Sequence, residues 1–198
     1  MSVMLTLILS YLIGSISFAL IIGKVFYKTD IRQYGSGNLG ATNTFRVLGK
    51  KAGTTVAIAD LLKGTAACLL PQILNSTINP ILCGVLAILG HVFPIFSGFR
   101  GGKAVATSTG VFLFLAPLGT LIGFIVFLIS LIISKYVSLS SILAAISILV
   151  YSLIFEDTLI KALSFFISIF VIVLHRENIK RILRGTENKV GKRLKDDS

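Results

Sequence analysis

Four stretches of this chain, residues 1–23, 64–99, 104–134 and 136–155, contain no Asp, Glu, Lys or Arg. A helix that crosses the hydrocarbon core of a bilayer needs about 20 mostly apolar residues. A soluble core has no need of charge-free runs this long. Composition agrees: 55% of residues are hydrophobic and 14% charged, with a mean hydropathy of +0.93, against about 25% charged in ordinary soluble domains. The chain therefore reads as an all-α integral membrane protein. Soluble, disulfide-framework and disordered classes are excluded. Cys68 and Cys83 lie inside apolar segments and make neither a CxxC motif nor a disulfide framework. The N-terminal run lacks a basic n-region and an A-x-A site and is long enough to span, so it does not read as a signal peptide.

Punctuation within the apolar runs predicts about seven short spans. Asn75-Ser76-Thr77-Ile78-Asn79-Pro80 is a turn cluster that divides 64–99. Residues 104–134 would measure about 46 Å as one straight helix, against a core of ~30 Å, and Pro117-Leu118-Gly119 offers the break. Glu156-Asp157 separates the last two spans. The expected spans are 1–23, 53–74, 78–96, 104–116, 118–134, 141–155 and 159–174, in a single polytopic domain over 1–198 that ends in a basic tail, 175–198. With the N-terminus outside, all of the 19 Lys and Arg except Lys63 and Lys161 fall on the cytoplasmic side or in the tail, which is the positive-inside pattern. The net charge of +11 then faces anionic headgroups or phosphorylated substrates. Nucleic acid is a poor partner for cations scattered through short loops.

In that topology the polar constellations converge on one face. Gly35-Ser36-Gly37-Asn38-Leu39-Gly40-Ala41-Thr42-Asn43, followed by Arg46, satisfies GxGxxG, but no strand precedes it and a dinucleotide-binding reading fails. What remains is an anion cradle: glycines admit backbone N–H groups, a following helix N-terminus adds partial positive charge, and Arg46 supplies a phosphate fork. An interfacial turn with an arginine touching lipid phosphate would use the same residues. The second constellation runs from Gly90-His91 and Pro94 to Arg100-Gly101-Gly102-Lys103. Positive-inside anchoring explains its cations but not the glycines beside them, and His91 reads as structural or supporting. His175-Arg176-Glu177-Asn178 puts His175 and Asn178 on one helix face, where an ordinary solvated basic end is the plain alternative. Val137-Ser138-Leu139-Ser140-Ser141 could cap a helix or present hydroxyls. Asp60 and Lys63, at i, i+3 inside a span, suit a mutually neutralising pair. No HExxH, GxSxG, His-x-x-x-x-Asp or metal-ligand spacing is present.

Together GSGNLGATNxxR at 35–46, GHxFPxFxxFxGGK at 90–103 and HRxNIxRxxxGxExK at 175–189 resemble the bacterial acyl-phosphate-dependent glycerol-3-phosphate acyltransferases, the PlsY-type family. The likeness runs the length of the chain, with its motifs in order. It implies transfer of a fatty acyl group from acyl phosphate to the 1-hydroxyl of sn-glycerol 3-phosphate, giving lysophosphatidate and phosphate. No metal and no cofactor is implied, and the enzyme would be multi-pass in the plasma membrane with its site facing the cytoplasm. The resemblance leaves the oligomeric state open, and a monomer is compatible with it. By the same resemblance Ser36, Arg46, Lys103, Ser141, His175 and Asn178 hold phosphate groups. Gly35, Gly37, Asn38, Gly40, Thr42 and Asn43 shape the first loop, Gly101 and Gly102 the second, and His91 and Glu177 support them. Ser140 competes with Ser141 for the serine position. The donor's own phosphate would take the proton. The bare inventory of cations and hydroxyls suits this, because a carboxylate between two phosphates would repel both. The competing class is a small transporter for an organic phosphate, which would use Asp60 and Lys63 at midplane.

Overall fold

The computed structural model describes residues 3–190; the two opening residues of the expected first span and the last part of the expected tail, 191–198, lie outside the described residues. All regular structure among the described residues is helical. The chain divides into two compact units, Met1–Leu115 and Ala116–Ser198.

In the first unit, α1 (Val3–Ser15) and α2 (Phe18–Tyr27) meet at a 47° bend in place of the single expected span over 1–23. Ser17 is extended there (φ −94°, ψ 92°). The Ile16 carbonyl accepts a hydrogen bond from Lys63 Nζ at 2.7 Å, so a lysine of another helix serves a backbone group at the break. Next, α3 (Ala41–Ile73) begins well before the expected 53 and is interrupted at Gly49 (φ 86°, ψ −177°). Asn43 and Arg46 therefore sit in its first turns, ahead of the kink. In α4 (Pro80–Val92), Asn79 caps the start by accepting from the Ile81 N–H at 2.9 Å. Finally α5 (Val105–Leu115) is only about 16 Å long. The span expected over 104–116 is thus about half the ~30 Å hydrocarbon core.

The packing is that of helices in lipid. Thr6, Ser10 and Gly14 are buried on α1, while Met4 and Ile8 are exposed. Gly64 lies against the Thr107 carbonyl and Gly110 against that of Leu61. Thr65 Oγ1 donates to the Gly110 carbonyl at 2.8 Å across the same contact, and Ile58 and Leu62 face outward. Apolar side chains gain nothing by leaving hydrocarbon, so such helices associate through small residues and interhelical hydrogen bonds.

The second unit repeats the pattern in α6 (Pro117–Ser134), α7 (Val137–Phe155), α8 (Thr158–Leu174) and α9 (Arg176–Leu183). Gly119 and Gly123 of α6 pack on Tyr151 and Ile148 of α7, and Ser168 Oγ donates to the Ala145 carbonyl at 3.0 Å. Asp157 caps α8, accepting from the N–H groups of Leu159 and Ile160 at 2.8 and 3.0 Å. Because α7 starts at Val137 rather than 141, Ser138, Ser140 and Ser141 occupy its first turns. A 56° bend separates α8 from α9. Four segments of the described residues are long and apolar enough to cross a membrane, or six if each bent pair is one crossing.

Candidate active site

In the first unit the cradle is held from inside by Asn43, which is 2% exposed. Its Nδ2 donates to the carbonyls of Ile31 (3.3 Å) and Tyr34 (3.1 Å), and its Oδ1 accepts from the Ser36 N–H at 2.9 Å. Gly35 is left-handed (φ 61°), and a Cβ there would collide with that same Oδ1. Asn43 is therefore the loop's keystone. Its clamp leaves the Ser36 side chain exposed, with Gly37, Asn38 and Gly40 half-buried beside it. Gly40 is extended ahead of α3, and its carbonyl accepts from the Thr44 hydroxyl at 3.1 Å. Thr42 follows in the first turn and Arg46 one turn later, both half-buried.

The second loop meets the first. Asn38 Nδ2 donates to the Gly101 carbonyl at 3.4 Å, so the two predicted cradles are neighbours. The Gly102 N–H donates to the His91 carbonyl at 3.1 Å, and a Cβ on Gly102 would strike the His91 ring. Here glycine is required by the close approach of another side chain. Lys103 follows in non-helical backbone, half-buried, just ahead of α5. His91 is buried, with Nδ1 3.7 Å from Asp60 Oδ1.

Asp30, the carboxylate nearest this loop in sequence, is neutralised locally. Arg32 grips it through Nε–Oδ1 at 2.9 Å and Nη2–Oδ2 at 2.6 Å, and Lys24 stands 3.6 Å away. The Arg32 hydrogen bonds hold its carboxyl well below the usual carboxylate range. It also caps the short helical turn Ile31–Gln33, so it folds the approach to the loop.

In the second unit, His175 and Asn178 lie at the α8–α9 bend, both buried. His175 Nδ1 lies 2.8 Å from the Val171 carbonyl. A carbonyl can only accept, so Nδ1 carries a proton and the ring meets anything else through Nε2. The two serines differ. Ser140 Oγ donates to the Tyr136 carbonyl at 2.9 Å and pairs with Ser130 Oγ of α6 at 3.1 Å, whereas Ser141 Oγ bonds to the Val137 carbonyl of its own helix at 2.9 Å. Glu177 is exposed and salted to Lys180 (3.1 Å) and Arg176 (3.7 Å). Its Lys180 hydrogen bond lowers its carboxyl pKa.

Sequence reasoning passed over the carboxylate that organises this unit. Glu187 is buried, accepting from Ser138 Oγ (2.8 Å) and Asn178 Nδ2 (2.7 Å) on one oxygen and from Arg181 Nε (2.7 Å) on the other. Burial pushes its pKa up, but the hydrogen bonds of Asn178, Arg181 and Ser138 outweigh that and hold it below its ordinary value. It straps the segment after α9 to the start of α7, where the Val190 N–H also donates to the Lys135 carbonyl at 2.9 Å. The only signal was its place in the third motif, two residues after Gly185.

A family model described as glycerol-3-phosphate acyltransferase matches residues 4–185. The chain belongs to the glycerol-3-phosphate acyltransferase family. It is 73% identical over 186 residues to glycerol-3-phosphate acyltransferase 2 of Bacillus anthracis, covering 94% of this chain and 98% of that one. To the glycerol-3-phosphate acyltransferase of Bacillus subtilis (strain 168) it is 54% identical over 190 residues, covering 96% and 98%. Its fold matches the crystal structure of PlsY (YgiH), an integral membrane glycerol 3-phosphate acyltransferase, in the glycerol 3-phosphate form. The TM-score is 0.88 at 38% identity, covering 95% of each chain. The lysophosphatidic acid form matches with a TM-score of 0.85. This chain is thus an acyltransferase and a multi-pass membrane protein. The transporter reading finds no support among these relatives.

Proposed function

We propose that this chain transfers a fatty acyl group from acyl phosphate to the 1-hydroxyl of sn-glycerol 3-phosphate. The hydroxyl oxygen forms the new ester bond to the acyl carbon, the acyl–phosphate C–O bond breaks, and the hydroxyl proton leaves on the departing phosphate. Products are lysophosphatidate and inorganic phosphate. The observation that carries the reading is the pair of interlocked glycine loops, Asn38 to Gly101, which bear Ser36 and Lys103 with Arg46 in the first turns of the following α3, in a chain whose relatives are named glycerol-3-phosphate acyltransferases. In the first unit Ser36, Arg46 and Lys103 are the residues proposed to hold phosphate, and in the second unit Ser141, His175 and Asn178 are proposed as phosphate-holding residues on the same resemblance. Ser141 is favoured over Ser140 because the Ser140 hydroxyl is spent on a helix–helix contact. Positioning and electrostatic stabilisation carry the rate. The carboxylates beside these residues fit this, since Asp30, Glu177 and Glu187 are each held by their own cations, Arg32, Lys180 and Arg181. No cofactor is invoked.

The same proposal includes seven crossings, with the N-terminus outside, α5 as a short crossing, and the site facing the cytoplasm. Its support is the distribution of Lys and Arg. The test is phosphate release from palmitoyl phosphate by purified protein, with and without glycerol 3-phosphate, alongside an acyl-CoA control. Acceptor-dependent release with lysophosphatidate formed is the expected result. Release without the acceptor would mean an acyl phosphatase. No turnover by folded protein would overturn the assignment.

A further inference from the structure

A chain of buried polar contacts runs from the α1–α2 break to the second phosphate loop. Lys63 Nζ donates to the Ile16 carbonyl at 2.7 Å and stands 2.9 Å from Asp60 Oδ1, with the Phe18 ring centroid 5.8 Å away. The same Asp60 oxygen is 3.7 Å from His91 Nδ1. On the other side of the imidazole, Gly102 packs so closely that a Cβ would fall on Nε2, and a Cβ on Gly101 would meet the His91 and Val92 carbonyls. Gly101 in turn accepts from Asn38 of the first loop. Asp60, Lys63 and His91 are 2%, 4% and 6% exposed. Ionisable groups inside a membrane helix are costly and ordinarily mark function.

A His beside an Asp invites a general-base reading, but the geometry argues against it. The ring is 6% exposed, and Gly102 packs against its Nε2 edge, so the imidazole is placed for packing against the loop. We propose instead that Asp60, Lys63 and His91 are positioning residues. Lys63, fixed to the helix break, orients Asp60. Asp60 orients the His91 ring, and the ring is the surface on which Gly101-Gly102 rest, setting the place of Lys103 and, through Gly101, of Asn38. This rests on the reading that Lys103 holds substrate phosphate. It adds that a cluster touching no substrate determines how well Lys103 does so.

The test is steady-state kinetics on purified, folded His91→Phe, Lys103→Ala and their combination. His91→Phe keeps ring bulk but loses the contact to Asp60. KM is measured for both glycerol 3-phosphate and acyl phosphate; the KM that Lys103→Ala raises should rise about 10- to 100-fold in His91→Phe, the scale of misplacement by an ångström or so, with kcat changed much less and its pH dependence unchanged in shape. A positioning residue acts through its loop, so the double variant should be no worse than Lys103→Ala alone. Full additivity, loss of one limb of the pH profile, or an unchanged KM in His91→Phe would each overturn the proposal. Both KM values unchanged in Lys103→Ala would instead overturn the phosphate assignment of Lys103. Should His91→Phe fail to fold, Gly102→Ala compared in the parent and His91→Ala backgrounds gives the same decision. The penalty of the added methyl must shrink when the ring is absent, and an equal penalty in both would refute the contact.

Discussion

Replacing Glu187 by Ala removes the acceptor shared by three donors, the Ser138 hydroxyl, the Asn178 amide and the Arg181 guanidinium. A buried donor left without its acceptor costs about 1–3 kcal/mol, and Ser138 and Asn178 are both buried. Arg181 is 42% exposed and turns to water, so its share is about 0–1 kcal/mol. Glu187→Ala should therefore lose about 2–7 kcal/mol. Glu187→Gln should lose less: its amide oxygen still accepts from Ser138 and Asn178, but its NH2 confronts the Arg181 donor. Thermal unfolding in detergent should rank parent, Gln, Ala. Acyl transfer should fall with it, because Asn178 loses its hydrogen bond to the Glu187 carboxylate. The pH dependence has a definite sign. The folded pKa lies below the ordinary 4.5, so the stabilisation is full above about 4.5 and is lost as pH falls through the lower folded value. In Glu187→Gln that acid-side loss should be smaller. Equal unfolding temperatures for parent and Ala variant, or an acid profile unchanged by Gln, would refute the clamp.

Three shorter predictions follow from the same contacts. Lys63→Ala leaves Asp60 charged in an apolar span and the Ile16 carbonyl unserved. It should cost about 3–5 kcal/mol, and combining it with Asp60→Asn should recover part of that in a detergent thermal-shift assay. Asn43→Ala removes the acceptor of the Ser36 N–H and the donor to Ile31 and Tyr34. It should raise the KM for glycerol 3-phosphate while the isolated membrane protein stays folded by size-exclusion chromatography. Ser140→Ala should lower thermal stability by about 1 kcal/mol with activity largely kept, whereas Ser141→Ala should do the reverse. The opposite ranking would exchange their roles.

The sequence by itself determined the solvent in which this chain folds, since charge-free runs of this length suit only hydrocarbon. It also announced the local punctuation. Asn79-Pro80 and Asp157 cap helices through neighbours two or three residues away, and such bonds are legible because they close within a single turn. The three motifs likewise carried the family. What the sequence could not show is where buried polar groups find partners far along the chain. Lys63 meets Ile16 across 47 positions and Ser138 meets Glu187 across 49. Only helix packing brings such residues together, and the loss of solvation on burial makes each contact decisive. The 47° bend between α1 and α2, whose Ile16 carbonyl Lys63 serves, was likewise not legible in the sequence. Asp60 and Lys63 pair inside the helix packing beside His91, and the buried carboxylate of the third motif is Glu187, while Glu177 stays at the surface.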